Sequence, residues 1–336
     1  MSDLIKKVQN TCFQYSLFKK GDKIILGVSG GPDSVCMLHI FSRLQKKYNL
    51  NLIIAHVNYG LRGRDSNLDE KLVKNLAKKY NLKIFVKKIT APDLISKKQK
   101  KKDISEQNLR DIRYAFFEKI RSKNNFNFIS IAHNSDDQTE TYLMRLIRGS
   151  GLTGLSAMLF KNKKIIRPLL AVSRNEIIIY LKKNKLSWRL DKTNLEPNFL
   201  RNKIRHFLIP YLEKKFNPNI KRTIFNSVES IALDENLLSI LTQKAYLSCA
   251  THSILKISKL KQLHPALQRR VLRQAITQIK TNLKNISAAH IQEILKIIQS
   301  TKSKSHVVIL KRLEINRKDD NLIIRLRHNK SVKKSN

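Results

Sequence analysis

The sequence predicts an α/β protein with a doubly wound, mainly parallel sheet, followed by a smaller, mainly helical C-terminal domain. Three observations predict this class. Apolar strand-like runs alternate with amphipathic helical stretches in the first half of the chain, as in successive βαβ units. The first strand leads through two adjacent glycines into a helix, a junction that binds ligands in doubly wound sheets. Near the end of the chain, apolar residues recur mostly at helical spacing.

Strands and helices alternate in the expected order. The strands are predicted at Lys23–Val28, Asn51–Val57, Leu82–Ile89 and Phe126–His133. Besides an N-terminal helix, helices are predicted from Ser34, near Asp65–Tyr80, from about Ser105 to Ser122, and over Asp136–Arg148. A capping box formed by Ser173 and Glu176 predicts the start of another helix.

The pattern changes after residue 215. Ile224, Val228 and Ile231 begin a series of apolar residues at helical spacing, which predicts a helical domain over 216–336 after an α/β domain over 1–215. Two strand-like runs flank an Asp-Asp-Asn turn in HVVILKRLEINRKDDNLIIRL, which predicts a terminal hairpin.

Charge is the strongest signal in the composition. The chain has 67 Lys and Arg residues against 25 Asp and Glu residues, a formal net charge of +42. Such a field attracts polyanions and favours nucleic-acid binding. A genome rich in A and T also inflates lysine, so charge alone does not name the partner.

Cysteine usage and the N-terminus bear on the compartment. Cys12, Cys36 and Cys249 are far apart and include no C-x-x-C pair, which argues against a disulfide framework, a zinc site and an iron–sulfur cluster. The N-terminus reads as an amphipathic helix rather than a signal peptide, and no run of about 18 apolar residues occurs. We therefore expect a cytoplasmic protein without a membrane partner and with reduced, mostly buried thiols.

The junction ILGVSGGPDSV carries the first chemical signal. Gly30 and Gly31 let successive N–H groups and the following helix N-terminus point at one anion, and Ser29 and Ser34 add hydroxyl groups. A Walker A loop is excluded because the Gly-Lys-Ser/Thr ending is missing. Asp33 would repel a phosphate unless a divalent cation lay between them, so it predicts Mg²⁺. The alternative is a tight turn with Asp33 or Ser34 as a helix cap.

The motif S-G-G-x-D-S resembles the pyrophosphate loop of the N-type ATP pyrophosphatases, the PP-loop family, which break ATP between its α- and β-phosphates. Further motifs in order along the chain are similar to those of the tRNA(Ile)-lysidine synthase family. They are AHVNYGLRG (Ala55–Gly63), NLRDIRYAFF (Asn108–Phe117), AHNSDDQTETYLMRLIRGSGLTGL (Ala132–Leu155), IIRPLL (Ile165–Leu170) and NFLRNKIRHFLIPYL (Asn198–Leu212). The likeness continues weakly through HPALQRRVLRQAI (His264–Ile276), and the sequence is expected to lack the last domain of longer family members.

This resemblance implies a set of site residues. The residues implied to bind ATP are Ser29, Gly30, Gly31, Pro32, Asp33, Ser34 and His56. The residues implied in catalysis are Asp33, Arg113, His133, Asp137 and Glu140, with Mg²⁺ on Asp33 and Asp137. Tyr59 and Asn134 stand where the family often has histidine, which leaves His56 and His133 as the candidates for a histidine role.

The stretch SDDQTET brings acids together. Glu140 lies four positions after Asp136 and three after Asp137, so a helix gathers the three acids near its N-terminus, where they could hold Mg²⁺ or the ammonium groups of lysine. The alternative is that the aspartates only complement the helix dipole. His133 could move a proton or be an ordinary hydrogen-bonded histidine. Arg113, with Arg110 three positions before it, could hold the α-phosphate or the activated base, or could lie in solvent.

The family chemistry implied by the resemblance joins L-lysine to C2 of the wobble cytidine in isoleucine tRNA with a CAU anticodon, which changes codon reading from AUG to AUA. ATP adenylates the C2 oxygen, pyrophosphate leaves, and the lysine amine displaces AMP. The ammonium pKa of lysine is about 10.4, so a neighbouring group must accept a proton. Asp137, Glu140 and His133 are all candidates, and the sequence does not rank them.

Arginines in the matched motifs are the first candidates for gripping tRNA phosphates. They are Arg62, Arg145, Arg148, Arg201 and Arg205. Arg201 and Arg205 are one helical turn apart, and salt bridges within the protein are the competing interpretation. The helical domain is expected to read tRNA features outside the anticodon, alone or with a second copy in a homodimer.

Three other functions fit parts of the sequence. A tRNA thiolase shares the loop and the charge, but thiolases generally carry sulfur on paired cysteines or a cluster. A small-molecule amidating synthetase fits the loop but leaves the charge and the other motifs unexplained. A non-catalytic tRNA-binding protein fits the charge but needs neither Asp33 nor the acid cluster.

Overall fold

The computed structural model describes residues 3–61, 63–89, 106–189, 200–251, 254–280, 283, 285–300, 306–310 and 313–326. The chain forms two compact units, Met1–Ala232 and Leu233–Asn336. The two units divide after residue 232, whereas the sequence predicts a domain boundary after residue 215. The boundary at residue 215 stays a prediction. The division after residue 232 falls inside one long helix, Ile220–Cys249, whose first turns pack with the first unit through Ile224 and Val228.

The first unit contains β-strands joined by helices. Its strands are β1 (Lys23–Gly27), β2 (Asn51–Asn58), β3 (Lys83–Lys88), β4 (Phe128–Ser130), β5 (Lys161–Asn162) and β6 (Ile165–Ile166). Its helices begin with α1 (Asp3–Gln14), α2 (Pro32–Tyr48), α3 (Arg64–Lys79), α4 (Glu106–Lys123) and α5 (Ser135–Ile147). They continue with α6 (Leu152–Leu155), α7 (Arg174–Lys183), α8 (Leu200–Lys203), a π-helical segment (Ile204–Leu208), α9 (Ile209–Lys215) and the start of α10 (Ile220–Cys249).

The strand order β3-β2-β1-β4-β6-β5 explains where a ligand can bind. Strand β1 pairs in parallel with β2 on one side and β4 on the other, and β5 is the antiparallel strand. The chain thus moves outward from β1 in one direction and returns to its other side, which opens a crevice at the carboxyl ends of β1 and β4. The predicted doubly wound, mainly parallel sheet is confirmed.

Alternate residues of β1 point to opposite faces of the sheet, and both faces are buried against helices. Ile24 and Leu26 pack in a cluster with Phe41 of α2. Ile25 packs in a second cluster with Phe117 of α4. Strands buried on both faces read as continuous apolar runs, which is the pattern that the sequence shows.

Gly27 lets the last residue of β1 approach α4 closely. A Cβ atom at this position would lie 2.9 Å from Cε2 of Phe117 and 3.1 Å from Cδ1 of Ile131. Both side chains are buried, so neither can move away cheaply. The missing side chain therefore brings the end of β1 against the wall of the crevice.

The second unit is built from helices and a five-stranded antiparallel sheet. Its helices after α10 are α11 (Ile257–Gln262), α12 (Pro265–Lys280) and α13 (Ala288–Gln299). Its strands are β7 (Ala250–Thr251), β8 (Ile254–Lys256), β9 (His306–Leu310), β10 (Leu313–Lys318) and β11 (Asn321–Leu326). The predicted hairpin is β10–β11, and it forms part of a larger sheet in the order β7-β8-β11-β10-β9.

Most predicted elements are present with small shifts at their ends. Helix α2 begins at Pro32 rather than Ser34, since proline suits the first helical turn. The run Phe126–His133 contributes only Phe128–Ser130 to the sheet. The Ser173 capping box at the start of α7 is confirmed. Among the described residues, no helix is both long and apolar enough to cross a membrane.

Changing Gly27→Ala is expected to destabilise the first unit by about 1–3 kcal/mol, since overpacking a filled core costs that much. Urea unfolding followed by circular dichroism measures the change. Gly151→Ala is the matched control, because a Cβ atom there meets nothing within 4 Å. Equal losses in the two variants would contradict the close approach of Gly27 and Phe117.

Candidate functional site

A cavity of about 230 Å³ opens at the carboxyl ends of β1, β2 and β4. One wall is apolar and the other carries polar groups. The apolar wall contains Gly27, Val57, Phe117, Ile131 and Ala132. The polar side contains Ser29, Gly31, Asp33, Ser34, Tyr59, Arg113, His133 and Asp137. The pattern of a flat apolar wall beside phosphate-binding groups suits a nucleotide.

The loop between β1 and α2 is held in shape by Ser34. Its hydroxyl oxygen lies 3.1 Å from the N–H nitrogen of Ser29 and 3.2 Å from that of Gly30, and it donates to the Gly31 carbonyl at 2.8 Å. Gly30 has a φ of +94°, a conformation that favours glycine. The loop is thus preshaped for an anion at the N-terminus of α2.

Asp33 faces the loop from the first turn of α2 and pairs with Arg174 of α7. Its Oδ2 accepts from the Arg174 guanidinium, while Oδ1 is buried and has no partner among the described residues. Burial raises the pKa of Asp33, and the positive charge of Arg174 opposes part of that rise. An unpartnered carboxylate oxygen beside a phosphate-shaped loop fits a hard cation such as Mg²⁺.

The three acids at the start of α5 lie in two environments: Asp137 and Glu140 share Arg201, whereas Asp136 has other partners. Asn134 caps the helix: its side chain accepts from the Asp137 N–H at 2.9 Å, and the Asp137 carboxylate accepts from the Asn134 N–H at 3.1 Å. This capping box explains why asparagine serves at position 134. Asp136 points elsewhere, where it accepts from the backbone N–H of Arg174 and pairs with Lys221.

Arg201 and Arg205 pair with these acids. Glu140 is only 1% exposed, and its carboxylate accepts from Nε of Arg201 at 2.7 Å and from Nε of Arg205 at 2.5 Å. Asp137 accepts from Nη2 of Arg201 at 2.6 Å. Two acids and two arginines form a compact cluster of balanced charge beside the cavity.

Burial raises the pKa of Asp137 to about 6, although Arg201 acts in the opposite direction. A carboxyl group with such a pKa can take up and release a proton near neutral pH. Among the candidates on α5, Asp137 is also the one that lines the cavity.

His133 and Arg113 also line the cavity. Nδ1 of His133 accepts from Nε of Arg167 at 3.2 Å. Nε of Arg113 is buried without a partner among the described residues, so it is available to donate to an anion in the cavity. Arg110 instead contacts Tyr114.

His56 lies under the loop and not on the cavity wall. Its Nδ1 is 2.8 Å from the Val28 carbonyl, and burial lowers its pKa. The neutral ring therefore donates from Nδ1 to the chain that leads into the loop. Tyr59 stands where the family often has histidine. It lines the cavity and donates to the Leu109 carbonyl at 3.1 Å.

The arginines predicted to contact tRNA fall into different environments. Arg145 donates to the carbonyls of Gly154 and Ala157 at 2.6 and 2.8 Å, so it stabilises the turn after α5. Arg148 is exposed. Arg62 lies outside the described residues. Arg201 and Arg205 pair with the acids of α5. Contact of any of these five arginines with tRNA stays a prediction.

Three arginines that sequence reasoning did not select support the site. Arg167 holds His133, Arg174 holds Asp33, and the backbone N–H of Arg189 donates to the Gly30 carbonyl of the loop at 3.0 Å. The motif IIRPLL contains Arg167, and the capping box marks the helix that Arg174 begins. Those signals located the elements without revealing the partners.

The sheet, the loop and the cavity at its switch point define a PP-loop protein. Residues 2–212 match the PP-loop domain family, and residues 255–323 match the TilS substrate binding domain. The U34-tRNA thiolase NcsA from Methanococcus maripaludis has a similar fold, with a TM-score of 0.56 and 21% identity over 68% of this chain and 78% of that one.

Curated relatives make the assignment more specific. The chain is 40% identical to a tRNA(Ile)-lysidine synthase of Clostridium tetani over 90% of this chain and 65% of that protein. It is 35% identical to one of Clostridioides difficile over 96% of this chain and 70% of that protein. The chain belongs to the tRNA(Ile)-lysidine synthase family, and it spans about two thirds of the length of these relatives.

The raised pKa of Asp137 predicts a pH-dependent stability. Because its folded-state pKa of about 6 lies above its ordinary value, the carboxyl group stabilises the fold at low pH, and that contribution is lost as pH rises through about 6. Between pH 4 and 7.5, the free energy of unfolding of wild type should fall by roughly 2–3 kcal/mol relative to that of Asp137→Asn, whose side chain at this position cannot titrate. Urea unfolding at several pH values measures this.

The control for this measurement is Asp234→Asn, which changes an exposed carboxyl group of the second unit. Because Asp234 lies in the second unit, this variant should keep the pH dependence that Asp137 gives to the wild type. If the free energies of unfolding of wild type and Asp137→Asn change in parallel with pH, the folded-state pKa of Asp137 is not raised.

Proposed function

We propose that this chain ligates L-lysine to C2 of the wobble cytidine in isoleucine tRNA with a CAU anticodon, with cleavage of ATP to AMP and pyrophosphate. One observation carries the proposal. The loop after β1, which has no lysine residue, and Asp137, which shares Arg201 with Glu140, line the same cavity. The names of the curated relatives support the same activity.

The reaction has two steps in this proposal. The C2 oxygen of cytidine attacks the α-phosphorus of ATP, the bond to the β-phosphate oxygen breaks, and pyrophosphate leaves. The neutral amine of lysine then attacks C2, and the C2 oxygen departs with AMP. Adenylation is needed because that oxygen alone is a poor leaving group.

For ATP, we propose that the base lies against the apolar wall formed by Val57, Phe117 and Ile131. The phosphates then meet the loop N–H groups, and the unpartnered Nε of Arg113 binds a phosphate oxygen. Oδ1 of Asp33 is the oxygen available to Mg²⁺, whereas both oxygens of Asp137 already have protein partners. Mg²⁺ would neutralise phosphate charge when bound.

For lysine, we propose that it binds beside Asp137 and Glu140. An amino acid carries both a carboxylate and ammonium groups, and the cluster offers both arginines and acids. Asp137, on the cavity wall, is the acid proposed to face an ammonium group of lysine. The buried Glu140 holds Arg201 and Arg205 in place, and their positive charge attracts the lysine carboxylate. Asp137 lines the cavity, so it is the proposed acceptor of the amine proton.

For tRNA, we propose that phosphate contacts supply much of the affinity, because the chain carries a net charge of +42. The second unit contains the match to the TilS substrate binding domain, which supports a role in binding the substrate. We place the protein in the cytoplasm, where tRNA, ATP and lysine are available together.

A homodimer is part of the proposal. Helix α10 carries exposed apolar side chains about one turn apart in the second unit, at Leu233, Leu237, Ile240 and Leu241. An apolar face of this kind marks an interaction surface. A second copy of the chain can cover it with the same residues.

A thiolase function is less well supported by the site. Cys12, Cys36 and Cys249 are all buried, and burial raises the pKa of the first two thiols, which disfavours the reactive thiolate. Within the described residues, no cluster of histidine, cysteine or acid side chains could hold a metal ion by itself. The likeness to the thiolase structure therefore concerns the fold.

The direct test incubates the protein with radiolabelled L-lysine, ATP and isoleucine tRNA bearing CAU. Label should move to this tRNA and not to methionine tRNA with the same anticodon. Glu140→Gln should weaken lysine use by about 10²-fold or more while leaving ATP binding within a few-fold, because the cluster is proposed to serve lysine. Absence of label transfer by wild type would refute the proposed function.

A second test concerns the exposed Arg148. If it contacts a tRNA phosphate, Arg148→Ala should reduce the slope of log affinity against log salt by about 0.7–0.9. Filter binding at several salt concentrations measures the slope. Arg43→Ala is the matched control, because Arg43 is also exposed but lies in the later turns of α2, away from the carboxyl ends of the strands. Equal slopes for both variants would exclude the contact.

A further inference from the structure

His133 is held by a buried arginine. Arg167 is 5% exposed, and its Nη1 donates to the Leu159 carbonyl at 2.8 Å. Its Nε is 3.2 Å from Nδ1 of His133. The guanidinium also has a hydrogen bond with Tyr114, so it is held in place, and its contact with Nδ1 orients the imidazole ring.

This contact determines which ring nitrogen carries the proton. A guanidinium group has only donors, so the nitrogen that it approaches must offer a lone pair. Nδ1 of His133 is therefore unprotonated, and in the neutral ring the hydrogen is on Nε2. No other protein group among the described residues hydrogen-bonds to this ring, and His133 lines the cavity.

We propose that Arg167 fixes His133 as the neutral Nε2–H tautomer, so that His133 donates a hydrogen bond to an ATP phosphate oxygen in the cavity and does not accept the lysine proton. This inference rests on the proposed function for the identity of the ligand. It removes His133 from the three groups that the sequence left open for the base, and so agrees with the proposal that Asp137 accepts the proton. His133 becomes an electrostatic contributor, and the base is a carboxylate.

The charges around the ring agree with this assignment. Burial lowers the pKa of His133 well below its ordinary value, and the positive charges of Arg167, Arg110, Arg201 and Arg113 lower it further. The Asp137 carboxyl group lines the same cavity and carries the opposite charge when ionised. A proton on Nδ1 would also face the Arg167 N–H directly, so protonation would break the contact that orients the ring.

A neutral donor suits the adenylation step. Negative charge on the α-phosphate oxygens must be stabilised as the cytidine oxygen attacks, and a donor held in place beforehand needs no reorganisation during the reaction. A group that must accept a proton from lysine needs a lone pair that faces the cavity. In His133 the lone pair faces Arg167.

The tautomer can be measured without any substrate. Nitrogen-15 NMR of the imidazole groups distinguishes protonated from unprotonated ring nitrogens, and the His133 signals are those missing from His133→Gln. We expect an unprotonated Nδ1 and a protonated Nε2 that do not change between pH 5.5 and 8. An Nδ1–H tautomer, or a titration within this range, would overturn the proposal.

Arg167→Met provides the corresponding test of the positioning residue. Removal of the donor and its charge should let His133 populate both tautomers and should raise its pKa, which the same spectra record. Unchanged His133 signals in a folded Arg167→Met protein would contradict the role of Arg167. If this variant does not fold, the wild-type spectra still decide the tautomer.

Two substitutions separate donation from proton acceptance. The amide nitrogen of glutamine can replace Nε2, whereas that of asparagine reaches only the position of Nδ1. In single-turnover assays of cytidine adenylation, His133→Gln should stay within about tenfold of wild type, and His133→Asn should lose about 10²–10³-fold. If both variants adenylate normally and fail only in lysine transfer, His133 is the base and the proposal is wrong.

These outcomes are distinct from failure of the proposed function. If wild type transfers no lysine, the proposed reaction is refuted, while the nitrogen-15 spectra still report whether Arg167 fixes the ring. Thermal unfolding of each variant confirms that the compared proteins are folded.

Discussion

The site depends on arginines from the later part of the first unit that reach back to groups at the carboxyl edge of the sheet. Arg174 pairs with Asp33, and Arg201 and Arg205 pair with Asp137 and Glu140. For Glu140, which is 1% exposed, removal of the arginine partners would cost about 3–5 kcal/mol, because a buried charge would be left uncompensated. The acids can therefore lie near a phosphate-binding loop only because these partners are present.

The sheet supplies the second constraint, which is the close approach at its switch point. Gly27 lets the end of β1 pack against Phe117, while the next residues turn into a loop whose shape is fixed by Ser34. Rigid elements thus hold the loop, the acid cluster on α5 and the imidazole of His133 around one cavity. Such preorganisation is the usual source of electrostatic stabilisation in enzymes.

The sequence predicted the fold class, the loop and the acid cluster because each has a local pattern. The arginine partners could not be predicted, since the pair between Asp33 and Arg174 joins residues 141 positions apart and leaves no periodic signal. The tautomer of His133 depends in the same way on Arg167. In the second unit, strands β7 and β8 are two and three residues long, too short for an alternating pattern to reveal them.

We propose above all that the cavity at the carboxyl edge of the sheet directs cleavage of ATP between its α- and β-phosphates. The most direct measurement uses ATP labelled with phosphorus-32 in the α-phosphate, together with L-lysine and isoleucine tRNA bearing CAU, and separates the products by thin-layer chromatography. We expect labelled AMP, formed in a one-to-one ratio with lysine joined to the tRNA. Labelled ADP as the product would contradict it.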